Sequence, residues 1–183
     1  MDYLMLVNKT NSLFSGYVPD DLTLVSSKYK GNIKLDRVTY ENFLKMQEDA
    51  GKYGYEIDIM SGYRDYLYQE KIYNKLVYEK GFNYAISRIA KAGCSEHQTG
   101  LAIDICVYRD GKCYIESEIS DFVETKWVHQ NCYKYGFILR YPLDKEDITK
   151  YSYEPWHLRY VGSDVARDIY NKDITLEEYL GKY

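Results

Sequence analysis

Two short stretches of this chain gather residue types that can bind and activate water. In Cys94-Ser95-Glu96-His97-Gln98-Thr99-Gly100-Leu101-Ala102-Ile103-Asp104, a histidine and an aspartate stand seven residues apart across a glycine and lead into an apolar run. In Glu154-Pro155-Trp156-His157, a glutamate precedes a histidine. Two of the three histidines thus fall in carboxylate-bearing clusters. Two imidazoles and two carboxylates suit a catalytic zinc: three protein ligands, an open position for water and a base beside it. No His-Glu-x-x-His occurs, so the pattern is not that of an ordinary zincin. The remaining histidine, His129, lies mid-helix among polar residues and is expected on a solvated face.

The elements around these stretches must aim them. Leu101 to Tyr108 reads as a strand, with Leu101, Ile103, Ile105 and Val107 on a core face. Asp104 then leaves that face, beside the small Ala102. A straight strand would put His97 and Asp104 on opposite faces, so the chain must bend at Gly100. Pro155 keeps Glu154 out of the helical region, and a turn there must bring Glu154 and His157 into one site.

Further elements follow from periodicity and punctuation. Residues 1–33 look irregular. A helix is expected from about Leu35 to Ala50, stopped by Gly51, and a strand over Tyr55–Met60. Asp65 can cap a helix running to Lys80 and ending at Gly81. A shorter helix covers Tyr84–Lys91. Asp110-Gly111 signals a tight turn, with Cys113–Ile115 returning as a hairpin. An amphipathic helix from Ile119 ends near Gly136, strands follow at Phe137–Tyr141 and Trp156–Val161, and a helix of about ten residues follows Ser163. Thr175 and Glu178 fit a capping box for a last helix. Helices and hairpin-like strands mix without regular βαβ alternation. The expected class is therefore α+β: one domain over 1–183, with a mainly antiparallel central sheet and packed helices.

Composition narrows the function classes. Apolar residues make up 45% of 183 residues, enough for a core without staples. The net charge is −4 and no basic stripe appears, so nucleic acid is not an expected partner. The 23 tyrosines suit half-buried positions and pocket walls. No run of about twenty apolar residues exists to span a membrane. The first fourteen residues hold no apolar leader core, so the expected location is cytoplasmic, with an exported form if a leader has been removed. The four cysteines form no Cys-x-x-Cys pair and are expected as free thiols. Cys94, three residues before His97, invites a thiol-nucleophile reading. A histidine on zinc cannot also serve as that thiol's base, and the metal reading accounts for more residues.

Ser95-x-His97-x-x-Gly100-x-Ala102-x-Asp104 followed by Glu154-x-Trp156-His157 resembles the signature of the zinc D-alanyl-D-alanine peptidases. These are D,D-carboxypeptidases and D,D-dipeptidases of the vancomycin-resistance type. Ser61-Gly62-Tyr63-Arg64 and Tyr135 to Pro142 also resemble family segments, and the similarity runs from about Ser61 to Gly162. The resemblance implies one zinc per chain, held by His97, Asp104 and His157, which lowers the pKa of bound water to about 7. It implies Glu154 as general base and Arg64 as the cation that stabilises the tetrahedral oxyanion. It assigns Ser95, and Gln69 as in some relatives, to substrate binding, Ser95 at the terminal carboxylate. The implied substrate is a peptidoglycan precursor, dipeptide or pentapeptide stem, ending in D-Ala-D-Ala. An L,D-carboxypeptidase trimming tetrapeptide stems is the alternative within the same fold. A non-catalytic zinc module that binds wall peptides is another; the related N-terminal domain of hedgehog proteins shares the ligand set. The presence of both Glu154 and Arg64 favours catalysis.

Overall fold

A computed structural model describes residues 2–183; Met1, the first residue of the stretch expected to be irregular, lies outside it. The chain folds as α+β with antiparallel sheets, the expected class. A hairpin of β1 (Leu22–Ser27) and β2 (Gly31–Asp36) comes first. It corrects the expectation of irregular chain up to residue 33. The helix α1 (Arg37–Gly51) follows at once, capped by Asp36, whose carboxylate accepts from the Thr39 amide. Its buried Phe43, Met46 and Ala50 are among the positions that the spacing marked.

The central sheet is built on β4 (Ala102–Arg109). One edge of β4 pairs with β3 (Glu56–Ser61). Its other edge takes β7 (His157–Tyr160) over the first half and β5 (Lys112–Ile115) over the second. The strand β6 (Phe137–Leu139) extends the sheet beyond β7. Asp110 and Gly111 both have positive φ, the type I′ geometry that matches the twist of the β4–β5 hairpin. Leu101, Ile103, Ile105 and Val107 enter the main core with Ile57, Ile59, Phe137 and Leu158, as alternation required.

Helices cover the sheet and its ends. The helix α2 (Tyr66–Lys80) is capped by Asp65 and stops at Gly81, followed by α3 (Phe82–Arg88). The single helix expected between Ile119 and Gly136 is broken instead. It consists of 3₁₀ turns at Glu116–Ile119 and Cys132–Tyr135 around α4 (Val123–Asn131). The short α5 (Glu146–Thr149) precedes β7. After β7 come α6 (Ser163–Lys172) and α7 (Leu176–Leu180). Thr175 and Glu178 form the expected capping box. The last two helices pack Ala166, Ile169 and Leu176 with Leu6 and Ile138 in a second, smaller core. No helix among the described residues is long and apolar enough to cross a membrane. The four cysteines are free thiols.

Candidate metal centre and active-site cleft

Asp104 lies at the middle of the site because of strand register. It sits opposite His157 on β7 and opposite Ser61 on β3. A bulge between Ile59 and Ser61 turns the end of β3 towards the cleft. The bend required at Gly100 is present. Residues Glu96–Thr99 form a 3₁₀ turn, and Gly100 caps it at φ +72°. A Cβ there would lie 2.9 Å from Leu22 Cδ2 and 3.1 Å from the Asp36 amide, so no larger residue fits without a shift. The turn brings His97 Nε2 to 3.1 Å from Asp104 Oδ2.

The required turn at Pro155 is present too. The His157 amide donates to the Glu154 carbonyl, and the Trp156 carbonyl accepts from Ile105 on β4. His157 Nδ1 thereby stands 3.0 Å from Asp104 Oδ1 and 3.6 Å from Glu154 Oε2. His129 supports this turn. Its Nε2–H donates to the Pro155 carbonyl at 2.9 Å, and the residue is half-buried. This corrects the solvated face expected for His129: α4 packs the ring inward, against the loop that carries the glutamate.

The donor set fits a cation. One ligand atom each from His97, Asp104 and His157 lies within 4.8 Å of the others, and all three residues are buried. His97 Nδ1 donates to the Gly62 carbonyl at 2.7 Å, so its lone pair is on Nε2. Burial, then Arg64, lowers the His97 pKa to about 4 against the pull of Asp104, so the ring is neutral at pH 7. An imidazole lone pair therefore faces a carboxylate oxygen. His97 Nε2 and Asp104 Oδ1 have no hydrogen-bond partner. Burial opposes ionisation of Asp104, but the two histidines hold it well below the usual carboxylate range. For His157, burial works downward, yet Asp104 and Glu96, with Glu154, push its pKa up to about 9. Two nitrogens and a carboxylate oxygen suit zinc.

A cleft of about 650 Å³ opens beside these atoms. Ser61, Arg64, Asp104, Glu154, Trp156 and His157 line it, and Tyr29, Lys30, Arg88 and Glu116 lie along its walls. The Glu154 side chain is 15% exposed. Burial raises its pKa to about 7, with Asp104 adding to the rise and His157 and Arg64 opposing it. Arg64 is fixed on three sides. Its Nε donates to Gln69 Oε1 at 3.1 Å, and its Nη1 donates to Ser61 Oγ at 3.1 Å and approaches Asp104 Oδ2 at 3.5 Å. Ser95 opens into a small adjoining recess with Arg64, Arg88, His97, Glu154 and His157.

Gln69 is the site residue that the structure places differently. It is 1% exposed and does not line the cleft. Its Oε1 holds Arg64 and its Nε2 donates to the Ala90 carbonyl. The helical spacing from Asp65 turns it inward, so it holds Arg64 and presents no face to the cleft. Cys94 is half-buried and burial raises its pKa, which does not favour a thiolate. Cys106 is buried against Cys113 and Asp58. The Gly62 carbonyl and the His129 ring escape a reading of residue types, because backbone contact and helix packing place them.

With this geometry established, comparison with known proteins assigns the family. The model of the VanY D-alanyl-D-alanine carboxypeptidase family matches residues 32–163. The chain belongs to the VanY family of peptidases. It is 45% identical to YodJ of Bacillus subtilis (strain 168) over 98% of this chain and 67% of that protein. It is 40% identical to a D-alanyl-D-alanine carboxypeptidase of Enterococcus faecium over 81% of this chain, which spans only 45% of that relative. Among solved structures, the LD-carboxypeptidase LdcB superposes with a TM-score of 0.88 at 45% identity, covering 97% of this chain and 85% of LdcB. A variant of VanY from the VanB-type resistance cassette, in complex with Zn(II), superposes at 0.84 and 34% identity, covering 98% and 99%.

Proposed function

We propose that this chain hydrolyses the bond before the C-terminal D-alanine of peptidoglycan precursors ending in D-Ala-D-Ala, with one zinc held by His97, Asp104 and His157. The observation that carries this reading is the convergence of three buried ligand atoms beside the Glu154 carboxylate, 3.6 Å from His157 Nδ1, and a guanidinium held by Gln69. It is supported by membership of the VanY family and by a VanYB structure in complex with D-alanine-D-alanine. When bound, zinc would polarise the scissile carbonyl and acidify a water.

The chain's own groups do the rest. Glu154, with a pKa near 7, takes the proton of the attacking water and returns it to the leaving amine. Arg64, held by Gln69 and Ser61, aims fixed N–H donors at the oxygen where negative charge develops. Ser95 offers its hydroxyl to the terminal carboxylate, and Arg88 adds positive charge to the same recess. The ligand residues are buried at the end of the cleft, where a lower local dielectric strengthens these interactions.

One observation favours a second reading. LdcB, an LD-carboxypeptidase, matches at 45% identity, above the 34% of the zinc-bound VanY structure. Under that reading the same groups cleave between an L-residue and D-alanine in a tetrapeptide stem. Zinc-loaded protein should be offered a pentapeptide stem, a tetrapeptide stem and free D-Ala-D-Ala, with D-alanine release measured. Release from the pentapeptide or the dipeptide supports the first reading. Release from the tetrapeptide alone rejects it.

A further inference from the structure

Glu96 takes no part in the chemistry proposed above, yet it is 1% exposed and immediately precedes His97. One of its oxygens is fully used. Oε1 accepts from Arg140 Nε at 2.8 Å and from Arg159 Nη1 at 2.7 Å. Arg140 also donates from Nη1 and Nη2 to Glu177 at 2.9 and 2.6 Å, and Arg159 donates from Nη2 to the carbonyls of Tyr3 and Met5. Two guanidiniums and two carboxylates thus balance in the interior, where a lone charge would be costly.

The other oxygen is not used by this network. Glu96 Oε2 and His157 Nε2 are 3.6 Å apart, and neither has a hydrogen-bond partner. They face each other across the side of the ring opposite Asp104. A buried N–H and a buried carboxylate oxygen so placed are complementary, and a small ring rotation closes the gap. The other imidazole shows the same logic, with the Gly62 carbonyl on the nitrogen turned away from Asp104.

We propose that Glu96 is a positioning residue that accepts the Nε2–H of His157, fixing the tautomer whose Nδ1 lone pair faces the zinc. This rests on the reading of His157 as a zinc ligand. A carboxylate on the far nitrogen orients the ring and makes the ligating nitrogen more basic. The arginine pair keeps that carboxylate ionised and immobile. Arg140 and Arg159 hold Glu96 directly, while Glu177 and the carbonyls of Tyr3 and Met5 only satisfy other N–H groups of those arginines. This role gives the interior charge network a use in the site beyond charge balance.

The discriminating variant is Glu96→Gln. The arginines claim the amide oxygen, so the NH₂ turns to His157 and meets its N–H donor to donor. Glu177→Gln removes equal charge from the same network without touching His157 and serves as the structural control. Zinc affinity should be measured by competition with a chromophoric chelator, and ring protonation by ¹⁵N–¹H NMR of the zinc-loaded wild type. The expected results are a proton on His157 Nε2, a zinc affinity about 10–100-fold weaker in Glu96→Gln, and unchanged affinity in Glu177→Gln despite a lower Tm. Equal zinc affinity in Glu96→Gln and wild type overturns the proposal. So does equal weakening in both variants, or a wild-type ring protonated on Nδ1. Where Glu96→Gln does not fold, the wild-type spectrum still tests the hydrogen bond: a slowly exchanging, downfield-shifted Nε2–H supports it, and an Nε2–H that exchanges as freely as that of a solvent-exposed imidazole overturns it. Wild-type protein that binds no zinc defeats the ligand assignment itself, a result separate from all of these.

Discussion

Replacing Glu154 by glutamine separates the base from the ligands. The change is isosteric and leaves the turn intact, because the backbone carries it: the Glu154 amide donates to the Tyr141 carbonyl and the His157 amide to the Glu154 carbonyl. The side chain approaches His157 Nδ1 at 3.6 Å but is not among the three converging ligand residues. The amide therefore removes proton transfer and little else. A positioned general base contributes about 10²–10⁴-fold, which corresponds to roughly 3–5 kcal/mol of barrier at 1.36 kcal/mol per tenfold. Turnover of a D-Ala-D-Ala-ending pentapeptide should fall by that factor while KM changes little. Zinc stoichiometry, read by atomic absorption on the same sample, should stay at one per chain. Wild-type kcat in Glu154→Gln would refute the base assignment. Loss of zinc from the variant would instead move Glu154 among the ligands.

Other perturbations test the remaining parts of the site. Asp104→Asn should remove the carboxylate that both imidazoles face and lower zinc occupancy to near zero, measured after dialysis; chelation of the wild type should abolish activity, and zinc should restore it. Gln69→Leu leaves Arg64 without one of its acceptors and should lower kcat by about tenfold with little change in KM, as loss of an orienting partner does. Gly100→Ala places a Cβ at φ +72° and 2.9 Å from Leu22 Cδ2, and should cost about 1–3 kcal/mol, seen as a lower Tm. Burial lowers the His129 pKa below 6.5, so the unfolded chain binds the proton more readily. Its contribution to stability is present above about pH 6.5 and is lost as pH falls towards the depressed folded value, with a slope of up to about 1.4 kcal/mol per pH unit. In denaturant titrations, His129→Gln should remove that part of the slope.

What could be read in advance was whatever depends on local pattern. The Asp65 and Thr175 caps, the Asp110-Gly111 turn and the core face of β4 each rest on residues adjacent in the chain. The hairpin of β1 and β2 does not. Leu24 is 60% exposed, so alternation in β1 does not mark a buried face. The hairpin is held by tertiary contacts, among them Ser27 Oγ to the Ile59 carbonyl and the Lys28 amide to Asp58. At the site, the motifs identified residue types, and strand parity required Asp104 to leave the core face. They did not identify which ring nitrogen faces the centre. That choice belongs to the Gly62 carbonyl for His97 and to groups packed behind His157. The inward turns of Gln69 and His129 depend in the same way on partners remote in sequence.

The ligand set cannot by itself distinguish cleavage after a D-residue from cleavage after an L-residue. Both bonds release a C-terminal D-alanine, so the metal, base, guanidinium and carboxylate-binding recess can be the same. The two substrates differ in chirality at the residue on the amino side of the scissile bond, whose side chain points to opposite walls. Discrimination must then come from the cleft walls rather than from the sheet rows that hold the ligands. Those walls carry Tyr29 and Lys30 from the β1–β2 turn, Glu116 after β5, and Arg88 at the end of α3. Substituting Tyr29 or Glu116 should therefore change the ratio of pentapeptide to tetrapeptide kcat/KM while leaving zinc affinity and the loss caused by Glu154→Gln intact. Discrimination that survives at all four wall positions would place specificity within the ligand-bearing strands.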